Sequence, residues 1–419
     1  MQPNTPMTPA QTVIKPPPFP LVGNGVADDT LALQHALDAA LVSGRPLSLP
    51  RGVYRITKSL LLTDPFQPIF PFTSNGYRAI YGATITGEGG PNERGIVGAS
   101  GVAIVLDNPA ETAVIRIGEG VLYNTVITGV AFLTKAGIGQ TTLDIPFTRW
   151  SRFQLKNCVL SGCDYGINLH SVNLNGDGNG EMLLLDNCVL NGNIAAYKNI
   201  NGMAVCHGLT NCESGCGPGG TIFVMGNGMY GTDFSAEHIM ISCDDLGPKP
   251  NTLLNLSDVE MVLFGGGRCR VEFIDTIIRY NGGTLASRGI VVVQGVNFAS
   301  MPGRGPFMDG TGFSSGMGQM KITLRDCSFA GKDMSQGRKG GAEGPVVLRV
   351  AYHPEDTSRW YFEGCVFNNF SNIYDLLTCP LVEFGPGNFF CPDPKASWQD
   401  QPLTKEMIGK YPSTSPLAA

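Results

Sequence analysis

Hydrophobic and polar positions along this chain change their period once. Leu33, Ala36, Leu37, Ala40 and Leu41 recur at helical spacing, with Asp28 or Asp29 ahead of them as a cap and Gly44 behind them as a stop. The spacing predicts one amphipathic helix from about Thr30 to Ser43. Leu47–Leu49 and Val53–Ile56 flank a Pro50-Arg51-Gly52 turn and read as two short strands. From about Ile80 onward the pattern is one of short β-like runs divided by Gly, Asn and Asp, and no later segment makes as good a helix.

Several of these runs resemble one another. LKNCVLSG at 155–162 recurs as LDNCVLNG at 185–192, then as LTNCESG around Cys212, LRDCSFAG around Cys327 and FEGCVFNN around Cys365. Weaker relatives lie around Gly129, Thr276 and Gly295. A unit of roughly 20–40 residues with one or two short strands is the mark of a solenoid. Irregular spacing between copies fits a parallel β-helix, in which each coil need only register with its neighbours about 4.8 Å away. In the repeat, Asn or Gly tolerates a left-handed corner and the next residue points inward. Cys158, Cys188, Cys212, Cys327 and Cys365 are therefore expected in one inward stack, where Cys serves as a small apolar residue.

Composition agrees with a folded, turn-rich chain: 55 of 419 residues are Gly, and only 15% are charged. A net charge of −6 with no Lys/Arg cluster argues against nucleic-acid binding. No apolar run is long enough to cross a membrane, and the Pro-rich start lacks the basic-then-apolar pattern of a signal peptide. Twelve cysteines without that signal are expected as free thiols. Residues 1–22 read as a Pro-rich extended arm, 23–390 as the β-helix with its cap helix at 30–43, and 391–419 as an irregular tail.

The stretch GNGVADDTLALQHALDAALVSGRPLSLPRGVYRI at 23–56 resembles the N-terminal signature of the pectate-lyase-like right-handed parallel β-helix superfamily, which includes bacteriophage tailspikes and polysaccharide-active enzymes. The resemblance implies an all-β solenoid with an N-terminal capping α-helix. It also implies a polysaccharide partner, a homotrimer, contacts with other virion proteins, and a place on the virion or outside the cell after lysis. A membrane-inserted form is not implied.

Stacked parallel strands make a long ridge suited to an extended polymer. Glycoside hydrolysis needs two carboxylates, and four pairs have suitable spacing: Asp244 with Asp245, Asp177 with Glu181, Asp233 with Glu237, and Asp258 with Glu260. Asp244-Asp245 resembles the paired-aspartate element of polygalacturonases and Cys206-His207-Gly208 their Gly-His-Gly element, in reversed order. The catalytic acids are expected among Asp177, Glu181, Glu237, Asp244 and Asp245, with His207, Arg268, Arg270 and Trp150 as substrate ligands. Trp360, Tyr352 and Phe313 suit further sugar platforms and core or interface packing equally. A lyase would use a base together with a cation such as Arg268 or Arg270 to stabilise a uronate's developing charge.

No cofactor is implied, although acids near Asp244 have the chemistry to take calcium. Cys206, His207, Cys212 and Cys216 lack the spacing of a zinc site. GFSSG at 312–316 lacks the following helix of a nucleophile elbow. His35, His170 and His353 belong to no constellation. Two function classes stay open: a glycan-binding and depolymerising tailspike-type protein, by hydrolysis or by elimination, and a non-enzymatic virion structural, decoration or adhesin protein.

Overall fold

The computed structural model describes residues 20–62, 82–117, 121–146, 149–170, 179–200, 203–226, 232–243, 249–257, 259–280, 289–301, 308–310, 320–331, 348–350, 359–368, 382–391 and 401–402. They form a right-handed parallel β-helix with three faces. Its first sheet runs through Leu47–Leu49, Thr84–Gly87, Val126–Thr128, Arg149–Lys156, Asn179–Asp186, Met203–Thr210 and Thr232–Glu237, then on to Val382–Phe384. The second begins at Asn24–Asp28 and Gly52–Ile56 and runs to Phe389–Cys391, where Gln401–Pro402 adds an antiparallel edge. The third stacks Leu60–Leu62 through Leu348–Val350. Met261–Glu272 and Ile290–Met301 each continue through a corner, so the first and second sheets merge there.

The corner between these two sheets is where the repeat acts. Gly129, Asn157, Asn187, Asn211, His238, Gly295, Asp326 and Gly364 all have φ between 49° and 70°. This left-handed region suits Gly and, after it, Asn and Asp. The residue after each turns inward: Val130, Cys158, Cys188, Cys212, Ile239, Val296, Cys327 and Cys365 are all buried. The thiols do more than fill space. Cys158, Cys188, Cys212, Cys327 and Cys365 each donate to a backbone carbonyl one coil back, at 3.3–3.6 Å. An alkyl side chain of similar size would leave that weak bond unmade. The Thr276 segment is not a copy of this corner: Thr276–Tyr280 is a rung of the third sheet.

The interior changes character along the axis. Early coils are filled by Leu, Ile and Val, whereas Phe298, Phe329 and Phe367 stack at successive rungs, with ring centroids 5.1 and 5.0 Å apart. Rings repeating near the strand spacing turn the parallel register into a continuous offset stack. The helix Thr30–Ser43 lays Leu33, Leu37, Ala40 and Leu41 over the N-terminal end and stops at Gly44, φ 63°. Asp28 accepts the Thr30 N–H, while Asp29 turns back to the N–H groups of Val22 and Gly23. Within 299–320 a short rung of the third sheet is formed by Met308–Gly310. No described helix is long and apolar enough to cross a membrane.

Candidate functional site

Outward positions of the first sheet are fixed by its inward ones. Leu183 and Leu185, Leu209, and Phe234 and Ala236 are buried, so Leu184 and Asp186, Thr210, and Asp233, Ser235 and Glu237 face out. Register aligns Lys156, Asp186, Thr210 and Glu237 in one exposed row. Asp186 and Glu237 therefore stand two rungs apart, about 10 Å between backbones at ~4.8 Å per rung.

A second pair of acids has the same separation. Exposed Glu181 registers with Val205, and Ala204 registers with Thr232, which places Asp233 two rungs from Glu181 across a bulge. Burial pushes the Asp233 carboxyl above its ordinary value, and its Oδ1 is enclosed without a hydrogen bond from any described residue. Two carboxyl groups set on one ridge in different surroundings are what glycoside hydrolysis by inversion requires, with the two groups ~6.5–9.5 Å apart.

The backbone beside these acids is strained. Arg152, Met182 and Cys206 occupy three successive coils with φ of 58°, 59° and 56°. A left-handed conformation costs such residues about 1–2 kcal/mol each. Regular pairing is interrupted at this place, between the Ser151–Glu181 and Phe153–Leu183 pairs.

Several sequence expectations need correction. His207 is not a sugar ligand: it is 1% exposed, inside the solenoid, with Nδ1 2.8 Å from the Tyr197 hydroxyl. It lies two residues before inward-facing Leu209 and so shares its phase, a signal already present in the strand alternation. Trp360 is fully buried between Ile322 and Val382 and is no platform. Cys206 faces out while His207, Cys212 and Cys216 face in, so they do not converge on one ion. No group of three potential metal ligands occurs among the described residues.

Arg268 and Arg270 are exposed, but Arg268 sits beside the Gly265–Gly267 corner while Arg270 lies on the second sheet. The Arg270 Nε donates to Glu272 at 2.7 Å. Trp150 belongs to the strand Arg149–Lys156, with its side chain outside the described part. Asp177, Asp244, Asp245, Asp258, Tyr352, Phe313, His353 and the GFSSG segment lie outside the described residues. His35 is exposed on the cap helix.

His170 does have a constellation, on the third sheet: its Nε2 is 3.0 Å from Asp144 Oδ1. Asn168 donates to the same oxygen at 3.0 Å, and Arg116 Nε lies 3.4 Å from Oδ2. Burial works against the charge of Asp144, but hydrogen bonding and charge at His170, the Asn168 amide and Arg116 outweigh it and hold the carboxyl below its usual range.

No family model matches this chain, and no curated protein matches it. Solved structures do. One chain described as Geobacillus virus E2 ORF18 is 13% identical with a TM-score of 0.54, and the match covers 90% of this chain and 60% of that one. The gp42 tailspike of Acinetobacter phage vb_AbaP_AS12 is 12% identical with a TM-score of 0.53, covering 94% of this chain and 65% of that one. The chain thus spans less than two thirds of the length of either relative. At this identity what is shared is architecture: the protein has the right-handed parallel β-helix fold, with an N-terminal capping helix, that is found in these phage proteins.

Proposed function

We propose that this chain is a polysaccharide-binding and polysaccharide-cleaving β-helix of tailspike type, with its reaction centre on the outer face of the first sheet. The observation that carries this reading is Asp233, a carboxyl raised by burial on a ridge that also presents Glu181, Asp186 and Glu237. Asp233 acts as general acid toward the glycosidic oxygen, and Glu181, two rungs away, as the base that activates water. Asp186, Thr210 and Glu237 offer a row of hydrogen-bonding groups along a bound chain. Asp177, Asp244 and Asp245 are further acids to be tested in the same way, and the protein acts as a trimer carried on a virion.

A non-enzymatic virion scaffold is the second reading. It is favoured by the apolar continuation of the same face, where Met261, Leu263 and Ile290 are 39%, 39% and 46% exposed and suit packing against another protein better than sugar chemistry.

The test uses the whole chain on a panel of bacterial surface polysaccharides, reading both reducing ends and unsaturated products. Asp233→Asn and Glu181→Gln are expected to lower turnover by at least a hundredfold with unchanged melting. Because Asp233 donates only while protonated, turnover of the parent falls as pH rises through its raised pKa. Full activity in both variants overturns the site assignment. No cleavage of any panel member by the parent favours the scaffold, and unsaturated products replace hydrolysis with elimination.

A further inference from the structure

The outer face of the third sheet carries chemistry opposite to that of the first. Its central outward row, read by register, is Arg116, Asp144, Asn168, Lys198, Val224, Asn255 and Arg279. His170 stands two positions further along the strand from Asn168 and so shares its face. Asp144, already engaged by Arg116, Asn168 and His170, is one of two acids in this row, because Arg279 registers next with Asp309 and Asp309 with Arg349. The Arg116 side chain is 47% exposed and that of His170 30%. The Lys198 ammonium lies 4.6 Å from the centroid of the Tyr165 ring, so a cation and an aromatic face stand side by side. Asn168 Oδ1 is enclosed and accepts no hydrogen bond from any described residue.

The spacing of the cations restricts what the face fits. Arg116, Lys198 and Arg279 recur every three rungs, about 14 Å apart at ~4.8 Å per rung. Each strand of a nucleic-acid duplex presents a phosphate about every 3.4 Å of axis and demands a far denser row of cations. A glycan with one acidic sugar in each oligosaccharide repeat presents sparse carboxylates separated by hydroxyls, which match sparse cations separated by amides.

We propose that the outer face of the third sheet is a second glycan site, specific for an acidic polysaccharide, in which Arg116 and Lys198 take carboxylates and Asn168 and His170 take hydroxyls. This rests on the polysaccharide reading above and adds to it a substrate class and a separate surface. The first-sheet acids would repel such a chain wherever its carboxylates approach them. The third sheet then holds the polymer by its charged sugars while cleavage falls on a neutral linkage.

The experiment measures binding of the full chain to a panel of acidic bacterial capsular polysaccharides, each paired with its carboxyl-reduced form. The parent is expected to bind at least one acidic member, at least tenfold tighter than its reduced form, with an affinity that falls as salt rises. Lys198→Gln and Arg116→Gln should each weaken that binding at least tenfold. Lys198→Gln keeps the test informative if loss of the Arg116 contact to Asp144 affects folding, and thermal melting checks both. Equal binding of acidic and reduced forms, unchanged binding in Lys198→Gln, or no binding to any acidic member overturns the proposal. Glycan binding lost only with Asp233→Asn and Glu181→Gln leaves the first-sheet function standing and this one fallen. Loss of self-association instead of glycan binding in Lys198→Gln makes the face a subunit contact and also rejects it.

Discussion

The left-handed corner gives the sharpest test of why this sequence winds as it does. Asn157, Asn187 and Asn211 sit there with φ of 49°, 53° and 55°. Replacing all three by Ala places a Cβ in a conformation that costs about 1–2 kcal/mol per residue, so the triple variant should lose roughly 3–6 kcal/mol. Replacing all three by Gly removes the same side-chain bonds, Asn187 Nδ2 to Asn157 Oδ1 and Asn211 Nδ2 to Asp186 Oδ1, both 3.3 Å. It leaves the dihedral unstrained at an entropic cost of ~0.5–1 kcal/mol per site.

The Gly variant should therefore exceed the Ala variant by about 0.5–1 kcal/mol per corner, or ~1.5–3 kcal/mol in all. An unfolding entropy of about 2.1 cal/mol/K per residue over 419 residues gives ~0.9 kcal/mol/K, so the two variants should differ by about 2–3 °C in melting temperature. Scanning calorimetry at several scan rates reads this difference, with the Asn187→Ala single variant alongside because adjacent rungs couple. An Ala triple variant that melts at or above the Gly triple variant refutes the argument that the backbone, rather than the asparagine amides, sets the residue choice at this corner.

Alkylation of the native protein followed by mass mapping should label exposed Cys206 and spare Cys158, Cys163, Cys188 and Cys212, with burial pushing the Cys163 thiol up to about 12; rapid labelling of the buried set would contradict the inward stack. Light scattering at micromolar concentration is expected to show a trimer, which would cover the exposed apolar residues of the first sheet, and a stable monomer would reject that assembly.

The cap helix and the Asn-Cys corners were legible because both depend on local backbone preference. Gly44 and Asn157 are of residue types that tolerate a left-handed backbone, and Cys158 announces the inward step after Asn157. What was not legible depends on which residues meet across coils. Asp144 and His170 are 26 residues apart and meet only because the intervening coil returns to the same rung position. Nothing in the sequence states how long that coil is. Asp186 and Glu237 align across two coils for the same reason. His207 failed differently: its likeness to a family element outweighed the alternation with Leu209, which already placed it inside. The Thr276 segment failed because a short apolar run looks alike on any of the faces.

The three corners of this prism differ in what they allow. From Gly129 to Gly364 the turn from first to second sheet is a single left-handed residue in each described coil except at Gly265–Gly267, where the longer corner still turns Cys269 inward. The return from third to first sheet is unconstrained in this way: two residues separate Ile200 from Met203, eight separate His170 from Asn179, and ten separate Gly310 from Lys321. One edge of the molecule is thus a fixed spine and another an open margin. Inserted or exchanged segments at that margin would border the ridge carrying Glu181 and Asp233 without disturbing a single rung. Under the glycan-cleaving reading proposed above, a lineage meeting new surface glycans could rewrite the margin repeatedly, and sequences sharing this spine would then diverge fastest beside the proposed site.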